Sequence, residues 1–347
     1  MQLGQYLKEA PKAELHVHLE GSILPATLLA LAKRNAVTLP VTTLEEMQQW
    51  FKYRNFPHFV EIYGAISSCL KTSEDYEQIV YEFGATMARQ HIRYAEATFS
   101  ACTHRYTLGI PHDVYFSGLT RGRERAKRDF GVEINWIFDI VRGVAEGPGV
   151  SQRADYTLAV AKESIHDGVV ALGLGGLEVG YPPEWFTRWF EQGRAAGLHS
   201  VPHAGETEGP ASVWGAIRAL GAERIGHGVR AIEDPTLVAY LAEKQIPLEV
   251  CPTSNIQLGV YPSLQTHPFP RLYEAGIPLT INSDDPPLFN TTLNDEVGLL
   301  ASAFHYDRNI INEILLNGVR YSFLPSERKR LLEEQFLAEM KQLGVTD

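Results

Sequence analysis

Short apolar runs alternate with longer amphipathic stretches along most of this chain. The short runs are rich in Val, Ile, Leu and Phe and read as strands buried on both faces; the longer ones space their apolar residues as helices do. The first strand lies in Ala13-Glu14-Leu15-His16-Val17-His18-Leu19-Glu20. Others are expected at 92–99, 132–139, 169–176, 199–206, 224–229, 246–251 and 277–283. The fifth is the weakest, because Pro202 is uncomfortable in a central strand. Helices are expected at 24–35, 114–129, 151–166, 184–196, 210–220, 235–243 and 268–275, and an amphipathic helix from Ser326 closes the chain. Strands separated by helices in this way predict a (β/α)8 TIM-type barrel in preference to an open sheet.

Residues 36–91 interrupt the rhythm. They hold helix-like segments around Thr43-Leu44-Glu45-Glu46, Phe59-Val60-Glu61-Ile62-Tyr63 and Ser73-Glu74-Asp75 where one short connection would do. An insertion this long after the first strand is expected to be lid-like. Repeats, low-complexity tracts and linkers are absent, so residues 1–347 are expected to form one barrel domain.

Composition narrows the functional classes. Of 347 residues, 44% are hydrophobic and the net charge is -11, so a duplex nucleic acid or an anionic membrane would meet a repelling surface. No run suits a membrane span or a signal-peptide core. Cys69, Cys102 and Cys251 are odd in number and far apart, which predicts neither a disulfide framework nor a cysteine metal knuckle. A soluble cytoplasmic protein is expected. The basic stretch Arg121 to Lys127 is read as a solvated helix face.

Polar residues at strand ends carry the chemistry. His16 and His18 are two apart, so a strand aims both imidazoles the same way. Glu178 follows the fourth strand, His203 and Glu206 the fifth, His227 the sixth, Cys251, Ser254 and Asn255 the seventh, Asp284 and Asp285 the eighth. A barrel's active site gathers at this face, and closure makes the first and last strands neighbours. Three imidazoles and a carboxylate are a plausible shell for one zinc ion. No lysine sits at the end of the third or fourth strand to bridge a second ion, so a mononuclear site is expected. Glu206 suits a proton donor, and His227 suits orienting or deprotonating a water. Alternation along a strand would turn Asp284 to the metal and Asp285 to the opposite side, toward substrate.

His16-Val17-His18-Leu19-Glu20-Gly21-Ser22, His203-Ala204-Gly205-Glu206, Arg224-Ile225-Gly226-His227-Gly228, Cys251-Pro252-Thr253-Ser254-Asn255 and Asn282-Ser283-Asp284-Asp285-Pro286 resemble the ordered motifs of adenosine deaminases. These belong to the amidohydrolase superfamily. The resemblance implies zinc-dependent release of ammonia from C6 of a purine nucleoside, a small-molecule substrate. It implies His16, His18, His203 and Asp284 as zinc ligands and Glu206 as the donor to N1. His227 would steer the hydroxide, and Asp285, the Gly176 backbone, His18 and Glu20 would bind substrate.

Many adenosine deaminases have aspartate at position 20, holding the ribose 5′-hydroxyl, whereas adenine deaminases of the family carry glutamate. Glu178-Val179-Gly180-Tyr181-Pro182-Pro183 also resembles the adenine enzymes, while Gly226 and Pro287-Leu288-Phe289 resemble the nucleoside enzymes. A third branch, acting on the 5′-modified adenosine aminodeoxyfutalosine, fits the loss of the usual 5′-hydroxyl partner. Other mononuclear amidohydrolase chemistry and a non-catalytic barrel are the alternatives. Histidines outside the motifs, His104 and His267 included, are read as ordinary; His58 alone is placed with the lid. Cys251 is read as a small buried residue.

Overall fold

Eight parallel strands form a single ordered sheet in the computed structural model, which describes residues 1–52, 56–143 and 148–344. They are β1 (Lys12–His18), β2 (Ile92–Phe99), β3 (Glu133–Arg142), β4 (Val169–Gly176), β5 (His199–Ala204), β6 (Ile225–His227), β7 (Leu248–Val250) and β8 (Leu279–Ile281). Each pairs with the next in sequence. The ring closes just past β8, where Val17 bridges Asp284. The His18 N–H donates to the Asp284 carbonyl at 2.9 Å and the Asp284 N–H to the His16 carbonyl at 3.1 Å. Asn282 continues the seam, its Oδ1 accepting the N–H groups of Leu15 (3.0 Å) and His16 (3.1 Å). This is the expected (β/α)8 barrel.

β2 and β4 coincide with the sequence expectation. β6, β7 and β8 are only three residues long each, shorter than their apolar runs. The chain leaves the barrel at residues with left-handed backbone: Gly205 (φ 70°), His227 (φ 59°) and Asp284 (φ 65°). Such a residue breaks the pleat and aims the next side chains over the barrel mouth. Helices at Leu3–Glu9, Leu293–Ser302 and Arg308–Arg320 add to those expected from sequence. Among the described residues no helix is long and apolar enough to cross a membrane.

The region 36–91 holds helices Leu44–Trp50, Phe56–Ser67 and Ser73–Arg89. The first and last start at capping boxes, on Thr43 with Glu46 and on Thr72 with Asp75. Helix Ser73–Arg89 packs closely on helix His112–Phe130 through glycines. A Cβ on Gly118 would overlap the Ser73 carbonyl oxygen, and one on Gly122 would lie 2.6 Å from Val80 Cβ. Helix Phe56–Ser67 reaches the barrel mouth, where the Phe59 ring lies 5.8 Å from Tyr63 and 6.0 Å from Phe289. The Phe56 side chain lies outside the described residues. Gly118→Ala should lower stability by about 1–3 kcal/mol through overpacking, measured by denaturant unfolding.

Candidate active site

β1 places His16 and His18 on one face, as the two-residue spacing requires. Their ring centroids are 5.6 Å apart. From β5, the His203 ring stands 4.5 Å from His16 and 5.3 Å from His18. One nitrogen from each of these three lies within 4.8 Å of the others. Asp284 Oδ1 is 3.3 Å from His18 Nε2 and 3.6 Å from His16 Nε2, while its Oδ2 accepts from Ser254 Oγ at 2.6 Å. His16 Nε2 and His203 Nδ1 are buried without a hydrogen-bond partner. An orphaned His16 nitrogen 3.6 Å from a carboxylate, with the His203 ring alongside, suits a metal ion better than any protein group.

Burial disfavours charge on both β1 imidazoles, but their carboxylate neighbours outweigh it. Asp284 and Glu249 raise His16 to about 10, and Asp285 and Asp284 raise His18 to about 9. A bound dication would replace these protons. Cys251 joins His16, His227 and Asp284 within the same radius, yet burial above all keeps it a thiol.

The expected alternation of Asp284 and Asp285 does not hold. Both lie beyond β8, and the left-handed turn at Asp284 brings both carboxylates within 4.8 Å of the His18 ligand atom. Gly21 makes room, since a Cβ there would overlap the Asp285 carboxylate. Gly226 does the same for His16, whose Cε1 would stand 2.9 Å from an added Cβ.

A buried ion chain supports His16 from inside the barrel. Its Nδ1 donates to Glu249 Oε2 (2.9 Å), leaving Nε2 for the site. Arg224 Nε donates to the other Glu249 oxygen (2.6 Å), its Nη2 to Glu96 (2.5 Å) and its Nη1 to the Tyr321 carbonyl (2.9 Å). The β5 loop is held from the opposite side by Glu178. Its Oε1 accepts from the Gly205 N–H and Ser212 Oγ (both 2.6 Å); its Oε2 accepts from the N–H groups of Glu206 (3.2 Å), Thr207 (2.7 Å) and Glu208 (2.9 Å). Arg142, from the end of β3, donates to the carbonyls of Gly175 (3.2 Å) and His203 (3.1 Å). Glu206 is thus fixed above the barrel, buried, and its carboxyl is raised to about 8 by desolvation, then by Asp284 and Glu178. His227 Nε2 lies 3.7 Å from Glu206 Oε1 and 3.9 Å from Asp284 Oδ2.

Glu20 occupies its own buried cluster. Its Oε1 accepts from the Ser100 N–H and faces His104 Nε2, both at 3.0 Å, and its Oε2 accepts from the Tyr63 hydroxyl at 3.1 Å. Tyr76 hydroxyl meets His104 Nδ1 at 2.7 Å. His104, read from sequence as ordinary, therefore stands at the site edge; the sequence placed Glu178 at a strand end and Arg224 in a motif but marked neither the partners of these two nor Glu249. Glu249→Gln should weaken metal affinity about 10–100-fold with the fold retained, measured by chelator competition.

A sequence profile of the adenosine deaminase family matches residues 11–338. An aminodeoxyfutalosine deaminase of Streptomyces coelicolor is 40% identical over 96% of this chain and 85% of its own length. An adenine deaminase of Albidiferax ferrireducens is 37% identical over 94% of this chain and 93% of its own. Among solved structures, adenine deaminase from Arthrobacter aurescens superposes with a TM-score of 0.88 at 29% identity, covering 96% of this chain and 99% of that one. An amidohydrolase from Burkholderia ambifaria with bound Zn also gives 0.88, at 26% identity over 100% of this chain and 95% of that one. The motifs at the strand ends and these relatives agree: the chain belongs to the adenosine deaminase family and is an enzyme of its metal-dependent aminohydrolase type.

Proposed function

We propose that the protein catalyses zinc-dependent hydrolytic deamination at C6 of a 6-aminopurine nucleoside, releasing ammonia and the 6-oxopurine. The observation that carries this reading is a buried carboxyl, Glu206, raised to about 8, beside three imidazoles and a carboxylate with orphaned metal-type donors. His16, His18, His203 and Asp284 are the ligands for one zinc ion per chain. Such an ion supplies Lewis acidity, bringing a water's pKa to about 7 so that a nucleophile exists at neutral pH.

The chain's own groups do the rest. Glu206 gives its proton to N1, so that C6 accepts the water oxygen without charge accumulating on the ring. The C6–O bond forms and the C6–N bond breaks; Glu206, having given its proton to N1, takes the protons of the attacking water in turn, so that one replaces its own and the other passes to the amino group, which leaves as ammonia. Asp285, held above the usual carboxyl range by burial and by neighbouring Asp284, meets N7. The Gly176 backbone meets N3, and His18 borders both ion and substrate. His227 orients the attacking oxygen.

Glu20 bears on the substrate. Three donors already occupy its oxygens, which leaves little for a ribose 5′-hydroxyl. That favours a 5′-modified adenosine such as aminodeoxyfutalosine, in line with the Streptomyces relatives. The same observation supports a second reading, free adenine, in line with the adenine deaminase relatives.

Ammonia release from aminodeoxyfutalosine, adenosine, 2′-deoxyadenosine and adenine should give the highest kcat/KM with the first. Adenosine as best substrate would overturn the role given to Glu20, and adenine as best would select the second reading. Chelation should abolish turnover, and added zinc should restore it. Glu206→Gln should keep its metal while kcat falls about 10²–10⁴-fold; parallel loss of zinc would make Glu206 structural.

A further inference from the structure

We infer that Asn255 and His267 form a positioning relay that fixes His227 as the tautomer protonated on Nε2, a hydrogen-bond donor to the site and not a base. The inference rests on the reading above for its catalytic meaning, although the tautomer itself follows from hydrogen bonds alone.

The chain of donors has an unambiguous start. The backbone N–H of Phe269 can only donate, and it points at His267 Nδ1 at 3.2 Å. His267 Nδ1 is therefore an acceptor and its proton sits on Nε2. That Nε2 lies 3.1 Å from Asn255 Oδ1, the acceptor end of the amide. The amide's donor end, Nδ2, then faces His227 Nδ1 at 3.3 Å. An imidazole that accepts at Nδ1 and is neutral carries its proton on Nε2. Reversing the Asn255 amide would set two donors face to face at His267 and two acceptors, or a shifted proton, at His227.

Burial keeps the relay neutral and in place. His227, Asn255 and His267 are all buried, at 1%, 0% and 4% exposure. Burial lowers His267 to about 4. Asn255 sits in helix Pro252–Gln257, and its carbonyl accepts from the N–H groups of Val260 and Tyr261. His267 packs against Tyr261 and Phe304, with centroids at 5.4 Å and 6.0 Å. His227 Nε2–H is thereby directed toward Glu206 and Asp284 across 3.7 Å and 3.9 Å. Those separations exceed a direct hydrogen bond. To take a proton at Nε2, His227 would have to exchange the one already there or become a buried cation facing the Asn255 amide donor. The relay therefore assigns it orientation and leaves deprotonation to other groups.

The test is the ring ¹⁵N spectrum of the zinc-loaded enzyme with labelled histidine, assigned through His227→Ala and His267→Ala. Both His227 and His267 should show protonated Nε2 and bare Nδ1. A proton on His227 Nδ1, or a cationic ring near neutral pH, would overturn the inference. Asn255→Asp presents an acceptor to His227 Nδ1, so it should move the proton there and lower kcat about 10–100-fold with little change in KM. An unchanged His227 spectrum in that variant would also overturn the relay. If Asn255→Asp does not fold, the wild-type spectrum decides alone. An enzyme that released no ammonia from any 6-aminopurine but held the Nε2–H tautomer would sink the proposed function and leave the relay standing.

Discussion

The hydrogen bonds that close the barrel between β1 and the turn after β8 are the constraint on which the site depends. They join residues about 270 apart in sequence, and the bonded residues are themselves His16, His18 and Asp284. Backbone pairing is short-ranged and directional, so once Val17 and Asp284 bridge, the side chains beside them have little freedom left. The imidazole pair and the carboxylate are brought together by the same contact that completes the fold. Loss of closure would separate them and expose two strand edges at once.

Around that seam the structure solves a second problem, the burial of many ionisable groups in one place. For His16, Glu178 and Glu249, partners outweigh the desolvation. Glu249 is shared by His16 and Arg224, and Arg224 is in turn matched by Glu96. Burial pushes Glu178 up, but Arg142 and the donors of the β5 loop bring its carboxyl below the usual range, so it stays an anion. Glu206 lies next to these paired groups, but there burial dominates and raises its carboxyl to about 8. A carboxylate anchor and a carboxylic acid thus occupy one loop because their surroundings differ.

Much of the fold was legible in the sequence because barrel strands are buried on both faces and leave unbroken apolar runs. The run at 169–176 coincides with β4 for that reason. Strand ends were less legible: the apolar residues Ile246 and Ile277 lie ahead of β7 and β8, outside the paired segments, and past β8 the backbone turns at Asp284. The paired aspartates show the consequence, since alternation would separate them and the left-handed turn brings them together.

By itself, the sequence determined the class of chemistry. Histidines two apart in a strand, with further histidines and carboxylates at later strand ends, point to a metal centre because strand periodicity and barrel closure are generic. Tertiary structure alone decided the roles of Glu178, Glu249, Asn255, His104 and His267. None belongs to a short-range pattern that marks its partner, and each acts through hydrogen bonds to atoms remote in the chain or beyond a turn. Proton positions in particular depend on which atom faces which, and that is fixed only when the barrel has closed.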